Sequence, residues 1–487
     1  MNDDLALLDA TAQADLVRTG EVKAVELVDA AIERIERLNP QINAVVSEMF
    51  DKARAAASEG SLGDGPLAGV PMLLKDHLTP TAGDPMYEGM RFLQDLDWRE
   101  DHDGFVAAKL RKAGAALIGK SNLPELAIIT TTEPVAYGAC RNPWDLGRTV
   151  GGSSGGSGAA VACGMVPIAH GTDAGGSIRI PAAFCGVVGL KPSRGRTSQG
   201  PDHSDMWGNG SWHVHALTRS VRDTALVLDA TCGYMAGDAF TAPPPARPYG
   251  EEVGADPGRL RIGVMTRTPD GHPPLHDACR DGVEATAELL EDLGHDVELA
   301  FPEALDHLME GSIEAFFGMA GSGVAWNLDR WSQRTGKTIG PDDVEPYTWA
   351  FAGLGRSCTG SQFLQGLSQV QSIARRVSAW WNEGFDVLVT PTTATPPYEL
   401  GYLASPADDP LAPLYKASAV LPFTGPFNMT GQPAISLPLH WTADGLPVGI
   451  QFGAAYGRED LLLRLAGQLE HARPWADRTP AVHASRM

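Results

Sequence analysis

Positive charge is what this chain has least of. Its 487 residues carry 38 Lys and Arg against 60 Asp and Glu, a net charge of −22 at pH 7. A surface that negative repels phosphate backbones and anionic headgroups, which argues against direct nucleic-acid binding and against docking on an anionic membrane. Cysteine is scarce: there are six, Cys140, Cys163, Cys185, Cys232, Cys279 and Cys358. No two are spaced C-x-x-C, so neither a zinc knuckle nor a thioredoxin-type site is expected, and the six read as buried thiols, not a disulfide framework. No apolar run reaches 18 residues, so no transmembrane helix is expected. The start, Met1-Asn2-Asp3-Asp4, offers neither the basic residues nor the apolar stretch of a secretory leader, and a cytoplasmic location is expected. No internal repeat occurs.

What is present is a globular composition, 43% hydrophobic and 20% charged, on a chain long enough to bury a large core. Val25, Val28, Ile32 and Ile35 step by three and four and predict a helix over 24–38, stopped by Asn39-Pro40. Residues 70–75 predict a short buried strand ending in Lys75. A helix over 105–113 and a strand over 115–118 follow. A strand at 259–266, a helix at 277–293 and a strand at 295–299 form a β-α-β unit. Residues 386–390 predict another strand, 433–439 and 446–452 a hairpin around Ala443-Asp444-Gly445, and 457–471 a last helix. Trp380-Trp381 closes a helix at 370–381. Length alone suggests about three domains. The Pro- and Gly-rich stretch 243–258 is the best linker, but strands lie on both sides without a shift in composition. One α/β domain over 1–487 with a long connection is expected in preference to two independent domains.

Glycine is in excess, 55 residues, roughly 11% against a usual ~7%, and the excess is clustered. Residues 151–158 read Gly-Gly-Ser-Ser-Gly-Gly-Ser-Gly, and 171–181 read Gly-Thr-Asp-Ala-Gly-Gly-Ser-Ile-Arg-Ile-Pro. Glycines beside hydroxyls let a substrate approach the backbone and let several N–H groups converge on an anion, as an acyl-transfer oxyanion hole requires. A phosphate-binding loop would need a lysine after the first run, and there is none. A dinucleotide fingerprint would need glycine where Val161 stands. Gly151–Gly155 matches a Gly-x-Ser-x-Gly elbow, but residues 142–150 make a poor strand to carry it. A flexible glycine linker fits badly with apolar runs on both sides and with the second Gly-Gly-Ser.

The stretch from Gly151 to Pro192 closely resembles the amidase signature family of serine hydrolases. The two serine runs are 24 residues apart, and Phe184-Cys185-Gly186 and Gly189-Leu190-Lys191-Pro192 fit as well. Upstream, Gly69-Val70-Pro71 leading to Lys75-Asp76 resembles the family's lysine strand, and Arg141-Asn142-Pro143-Trp144 also fits. The likeness extends to Gly431-Gln432-Pro433-Ala434 and Gly445–Gly449, with a signature core at about 65–200. The resemblance implies an α/β fold with a large mixed β-sheet core covered by helices on both faces. It also implies Ser177 as nucleophile, Ser153 as bridging serine joined by a cis peptide bond to Gly152, and Lys75 as base. N–H groups of Ala174, Gly175, Gly176 and Ser177 would form the oxyanion hole, with Ser154, Asp173 and Arg179 orienting the loops. Ala127, 26 residues before Ser153, matches a backbone position that touches substrate in relatives. Trp207, Trp212, Phe316, Phe317 and Trp326 lie in segments that line the pocket there.

The chemistry is sound on its own. A serine hydroxyl needs a base to take its proton, and a lysine serves only if burial lowers its pKa from ~10.4. Met72, Leu73 and Leu74 supply apolar surroundings. Asp76 would oppose this if it paired with Lys75. In an extended strand the two side chains point to opposite faces. His213-Val214-His215 could be a metal pair of a metal-dependent amidohydrolase, but its segment reads as a loop, no His-Glu-x-x-His occurs, and a pocket-rim or surface pair is expected. His170 reads as a packed histidine at a strand end.

Within the family, the A subunit of the tRNA-dependent amidotransferase carries Gln-Pro after the arginine, where this chain has Ile180-Pro181, and the net charge disfavours tRNA. The runs Thr132–Gly138, Leu146–Val150 and Arg194-Gly195-Arg196 look closest to aminohexanoate cyclic-dimer hydrolases, near aryl acylamidases and urethanases. The resemblance therefore implies a hydrolase of small, largely apolar amides (linear, cyclic or anilide) or carbamates, with no metal and no cofactor, as a monomer or homodimer. A catalytically idle binding partner is the reading outside enzymes. The intact serines and lysine speak against it.

Overall fold

The structure is a computed structural model that describes residues 2–203, 210–308, 313–418 and 420–486. Thirteen strands appear among them: β1 Val45–Glu48, β2 Pro71–Lys75, β3 Ala116–Ser121, β4 Arg141–Asn142, β5 Asp145–Thr149, β6 Ile168–Asp173, β7 Val188–Lys191, β8 His213–Thr218, β9 Arg261–Val264, β10 Asp296–Glu298, β11 Val387–Pro391, β12 Ala434–Trp441 and β13 Pro447–Ala454. Eleven build one mixed sheet in the order β1-β3-β2-β6-β8-β7-β12-β13-β11-β9-β10, and β4 and β5 pair separately. Strand β2 runs parallel to β3 and β6, while β8 runs antiparallel to β6 and β7.

The central strands are buried on both faces, and alternate residues enter different cores. Leu73, Ala169 and Leu217 join one cluster with the helix Gly155–Ala162. Met72, Leu74, Ile168, Val214 and Ala216 join another with Val106 and Leu110 of the helix Phe105–Lys112. A strand covered on both sides is a near-continuous apolar run, which is why residues 70–75 read so plainly. A third, larger core packs β7, β9 and β11–β13 against the helices Val221–Thr231, Asp277–Asp292 and Glu459–Ala472.

The β-α-β unit stands as Arg261–Val264, Asp277–Asp292 and Asp296–Glu298, with β9 and β10 parallel. The hairpin stands as β12 and β13, antiparallel. Strands from before and after 243–258 share the main sheet through the β7–β12 pairing.

Three local expectations need correction. The first helix does not stop at Asn39-Pro40 but runs Ala24–Ile42, where Asn43 in the left-handed region ends it. Burial of Leu38 and Ile42 outweighs the one N–H that Pro40 lacks. Residues 142–150 are not simply irregular, since β4 and β5 form a small hairpin off the main sheet. The His213–His215 segment is neither loop nor rim. It opens β8 near the middle of the sheet, and both histidines are buried at 2% exposure. Two polar residues at alternate positions disguised a fully buried strand.

Candidate active site

The sheet brings the two glycine–serine runs and the lysine strand to one place. Lys75 ends β2, and Thr172 and Asp173 end the neighbouring β6. Lys75 Nζ lies 2.7 Å from Ser153 Oγ and 2.8 Å from Thr172 Oγ1. The side chain is fully buried. Burial pushes its ammonium well below the ordinary lysine range, against the opposing pull of Asp173. His170, also buried, accepts the Lys75 backbone N–H on Nδ1 at 3.3 Å, so this histidine packs behind the lysine. Asp76 turns elsewhere and accepts from Tyr137 Oη at 2.6 Å and from the Tyr87 N–H at 3.1 Å.

The first serine run crosses from β5 to the helix Gly155–Ala162, and the Gly152–Ser153 peptide is cis. A Cβ on Gly152 would sit 2.5 Å from the Thr131 carbonyl oxygen, so only glycine fits beside that strand of chain. Ser154 ties the two runs together. Its N–H donates to the Ser177 carbonyl at 3.1 Å, and its Oγ exchanges bonds with the backbone of Thr172 at 3.2 Å.

The second run is held from inside by an ion pair. Arg179, at the start of the helix Arg179–Cys185, grips Asp173 through Nε and Nη2 at 2.9 Å each, with both side chains fully buried. Its remaining donors reach Asn428 Oδ1 at 2.6 Å, Gln451 Oε1 at 2.7 Å and the Thr424 carbonyl at 2.9 Å. Burial alone would raise the Asp173 carboxyl, but Arg179 and Asn428 outweigh it and hold it below the usual carboxylate range. Asp173 also accepts the N–H groups of Gly176 at 2.7 Å and Ile178 at 3.2 Å. This corrects one expectation. The Gly176 N–H is committed to Asp173 and is not a free donor, whereas those of Ala174, Gly175 and Ser177 have no partner among the described residues. Gly176 serves otherwise. Its φ is +139°, and a Cβ there would lie 2.5 Å from Thr424 Oγ1. That hydroxyl donates to the Gly175 carbonyl at 2.6 Å.

Ser177 opens onto a cavity of about 210 Å³ lined with Ala127, Ile128, Met319, Val324, Phe351 and Leu421, together with Ala174, Gly175 and Trp212. Among the described residues that line it there is no ionisable side chain. Ala127 and Trp212 are thus on the wall of this cavity. Phe316 does not line it and is half-buried one turn earlier, against Phe317. Trp326 is exposed. Trp207 lies outside the described residues. Met319, Val324 and Phe351 come from the helices Ile313–Thr335 and Pro346–Ser357. No motif marks them, and Thr172, Thr424, Asn428 and Gln451 were missed for the same reason. A larger, open cavity of about 580 Å³, lined in part by His276, His440 and Trp441, contains none of the two serines or the lysine.

His213 and His215 gather with no third ligand among the described residues. The one group of three among the described residues whose ligand atoms converge is Glu100, Asp101 and His102, and Glu100 is already paired with Arg334 at 2.6 Å. Among the described residues no helix is long and apolar enough to cross a membrane.

A family model described as Amidase matches residues 26–463. The 6-aminohexanoate-cyclic-dimer hydrolase of Pseudomonas sp. (strain NK87) is 44% identical over 480 residues, covering 97% of this chain and 96% of the relative. A solved structure of 6-aminohexanoate cyclic dimer hydrolase complexed with substrate superposes with a TM-score of 0.94 at 43% identity, covering 98% of this chain and 99% of that one. A bacterial aryl acylamidase structure superposes with a TM-score of 0.85 at 25% identity, covering 96% and 97%.

Proposed function

The chain belongs to the amidase signature family, and from that premise we propose that it hydrolyses small uncharged amides through an acyl-enzyme on Ser177. The observation that carries this is Lys75, fully buried, with its ammonium destabilised by burial, 2.7 Å from Ser153 Oγ. In this reading the neutral amine accepts the Ser153 proton while Thr172 Oγ1 accepts one amine N–H and fixes the direction of the lone pair. Ser153 in turn takes the proton of Ser177 as Ser177 Oγ attacks the amide carbon. The carbonyl oxygen, now an anion, is met by the N–H groups of Ala174, Gly175 and Ser177. Collapse breaks the C–N bond, and the proton returns through Ser153 to the leaving nitrogen. Water then attacks the ester by the same relay, which releases the acid and restores the serine.

The cavity supports the substrate class. With no ionisable side chain among its described lining residues, it would have to strip water from any charged group without replacing it, which is costly. Neutral anilides, lactams and linear amides suit it, and carbamates present the same carbonyl. The chain's likeness to proteins described as acting on an aminohexanoate cyclic dimer puts cyclic amides first. The test is labelling with a fluorophosphonate followed by peptide mass spectrometry, alongside a turnover screen on lactams, anilides and carbamates with Ser177→Ala as control. The adduct is expected on Ser177. An adduct on Ser153, or turnover that survives Ser177→Ala, defeats the assignment.

A further inference from the structure

One buried histidine beside the second serine run has no part in the proposed mechanism. His213 opens β8 opposite Asp173, its register partner on β6, and is 2% exposed. Its Nδ1 lies 2.7 Å from the Ser211 carbonyl oxygen and 3.2 Å from the Asp173 carbonyl oxygen. A carbonyl oxygen only accepts, so Nδ1 carries the proton and shares it between the two. Nε2 is buried without a hydrogen-bond partner among the described residues. Burial, and after it Lys191 and Arg194, push the ring well below the ordinary histidine pKa, so it stays neutral with the lone pair on Nε2. Asn428 approaches the same two carbonyls. Its Nδ2 donates to the Asp173 oxygen at 3.0 Å and to the Ser211 oxygen at 3.1 Å. Two side chains therefore hold two carbonyls, one at the root of the second serine run and one at the cavity wall, where Ser211 and Trp212 stand.

The consequence lies across the peptide plane. The Asp173–Ala174 peptide is trans, and in a planar trans peptide the C=O and the N–H point in opposite directions. Whatever fixes the Asp173 carbonyl therefore fixes the direction of the Ala174 N–H. That N–H has no partner among the described residues, and Ala174 lines the cavity together with Ser177. The Gly176 carbonyl, which sets the Ser177 N–H in the same way, is held from within the run by the Ile180 N–H at 2.7 Å. The Ala174 donor depends instead on side chains from β8 and from the helix Gly425–Thr430.

We propose that His213 is a positioning residue for hydrolysis: by donating from Nδ1 to the Asp173 carbonyl it turns the Ala174 N–H toward the carbonyl oxygen under attack at Ser177. The inference rests on the reading of Ser177 as nucleophile and of Ala174 as an oxyanion donor. The histidine touches neither substrate nor the transferred proton, and it acts only through the peptide it holds.

The test uses the difference between two side-chain amides. The amide nitrogen of asparagine lies as many bonds from Cα as Nδ1 does, and that of glutamine lies where Nε2 does. His213→Asn therefore keeps the donor, while His213→Gln and His213→Leu lose it. Active sites are counted by exhaustive fluorophosphonate labelling, so misfolded protein does not enter kcat. On the best amide of the turnover screen, kcat in the Gln and Leu variants is expected to fall about tenfold or more. That is short of the ~10²–10³ that deleting an oxyanion donor costs, because Asn428 still holds the carbonyl. KM should stay within about twofold, as for an interaction made in the transition state. His213→Asn should return kcat to within a few-fold of wild type. A trifluoromethyl ketone, whose adduct on Ser177 carries the same oxyanion, should lose affinity in parallel with kcat, which a loss of stability alone would not produce. If His213→Leu does not fold, the comparison of Asn with Gln carries the test. Unchanged kcat in the Gln variant, an Asn variant no better than Gln, or ketone affinity that ignores kcat overturns the proposal. If the wild type turns over no amide, the proposed function fails first. The inference is then read from the rate of fluorophosphonate reaction at Ser177 in the same variants, and equal rates overturn it.

Discussion

Replacing Lys75 with methionine should change the pH dependence of stability in a calculable way. In the folded protein burial keeps the lysine pKa well below its ordinary value. In the unfolded chain it returns to ~10.4. Between those two values the unfolded state holds one proton more than the folded state at this residue, so stability rises with pH. The slope is about 1.4 kcal/mol per pH unit. Over any two pH units that lie between those two values the wild type should therefore gain about 2.7 kcal/mol from this one residue. Lys75→Met has no such proton to lose. It also forfeits the contacts to Ser153 and Thr172, but that loss is the same at every pH and shifts the curve without tilting it. Lys120 and Lys191, both buried with lowered values, tilt the two proteins equally and cancel in the difference. The assay is equilibrium unfolding in urea at four pH values, after refolding has been shown to recover the signal. The stability of the variant relative to wild type should decline steadily as pH rises. Two parallel curves would mean that Lys75 keeps its solution pKa in the fold, and the neutral-lysine argument would then be wrong.

Activity should rise with pH through the lowered Lys75 value and level off on the alkaline side, because only the neutral amine accepts a proton; a kcat/KM profile flat across that rise contradicts the base assignment. Asp173→Asn strands Arg179 in the interior and should cost about 3–5 kcal/mol in urea unfolding. In the wild type the Asp173 contribution is present above the ordinary carboxylate range and lost as pH falls through its depressed value. Gly176→Ala forces a Cβ to 2.5 Å from Thr424 Oγ1 and should lower kcat about a hundredfold or more by misplacing neighbouring N–H donors, with circular dichroism unchanged; near-normal turnover would show that the loop yields. Ala320→Lys places a charge on the cavity wall and should raise KM for neutral amides while leaving the rate of fluorophosphonate labelling within a few-fold, a split that steady-state kinetics and labelling read separately.

The serines and the lysine were legible because they sit in short runs whose composition has few other uses. Gly-Gly-Ser-Ser-Gly-Gly-Ser cannot be a good helix, strand or linker, and a lysine ending an apolar strand stands out. The cavity was not legible. Met319, Val324 and Phe351 are ordinary helix residues, and only the packing of two helices more than a hundred residues downstream brings them to Ser177. Asn428 and Gln451 were hidden in the same way. His213 and His215 misled for a different reason. Periodicity counts histidine as polar, so a strand buried on both faces looked like a loop. The Gly176 donor was misassigned because spacing places an N–H in a loop but does not tell which acceptor has already taken it.

The Arg179 clamp fixes the order in which the protein becomes competent during its own synthesis. Its partners Thr424, Asn428 and Gln451 follow it by 245, 249 and 272 residues. A growing chain therefore exposes both serine loops long before the groups that shape them exist. Until β13 has been made, a buried-type arginine and aspartate sit in water without their surroundings, and the second glycine–serine loop lacks the contacts that hold it. An unfinished chain, or one cut between 243 and 258 and separated, carries every residue of the glycine–serine signature and yet is expected to be inert. Mixing the two halves should restore hydrolysis only to the extent that they rejoin, so the clamp makes activity a direct readout of chain completion.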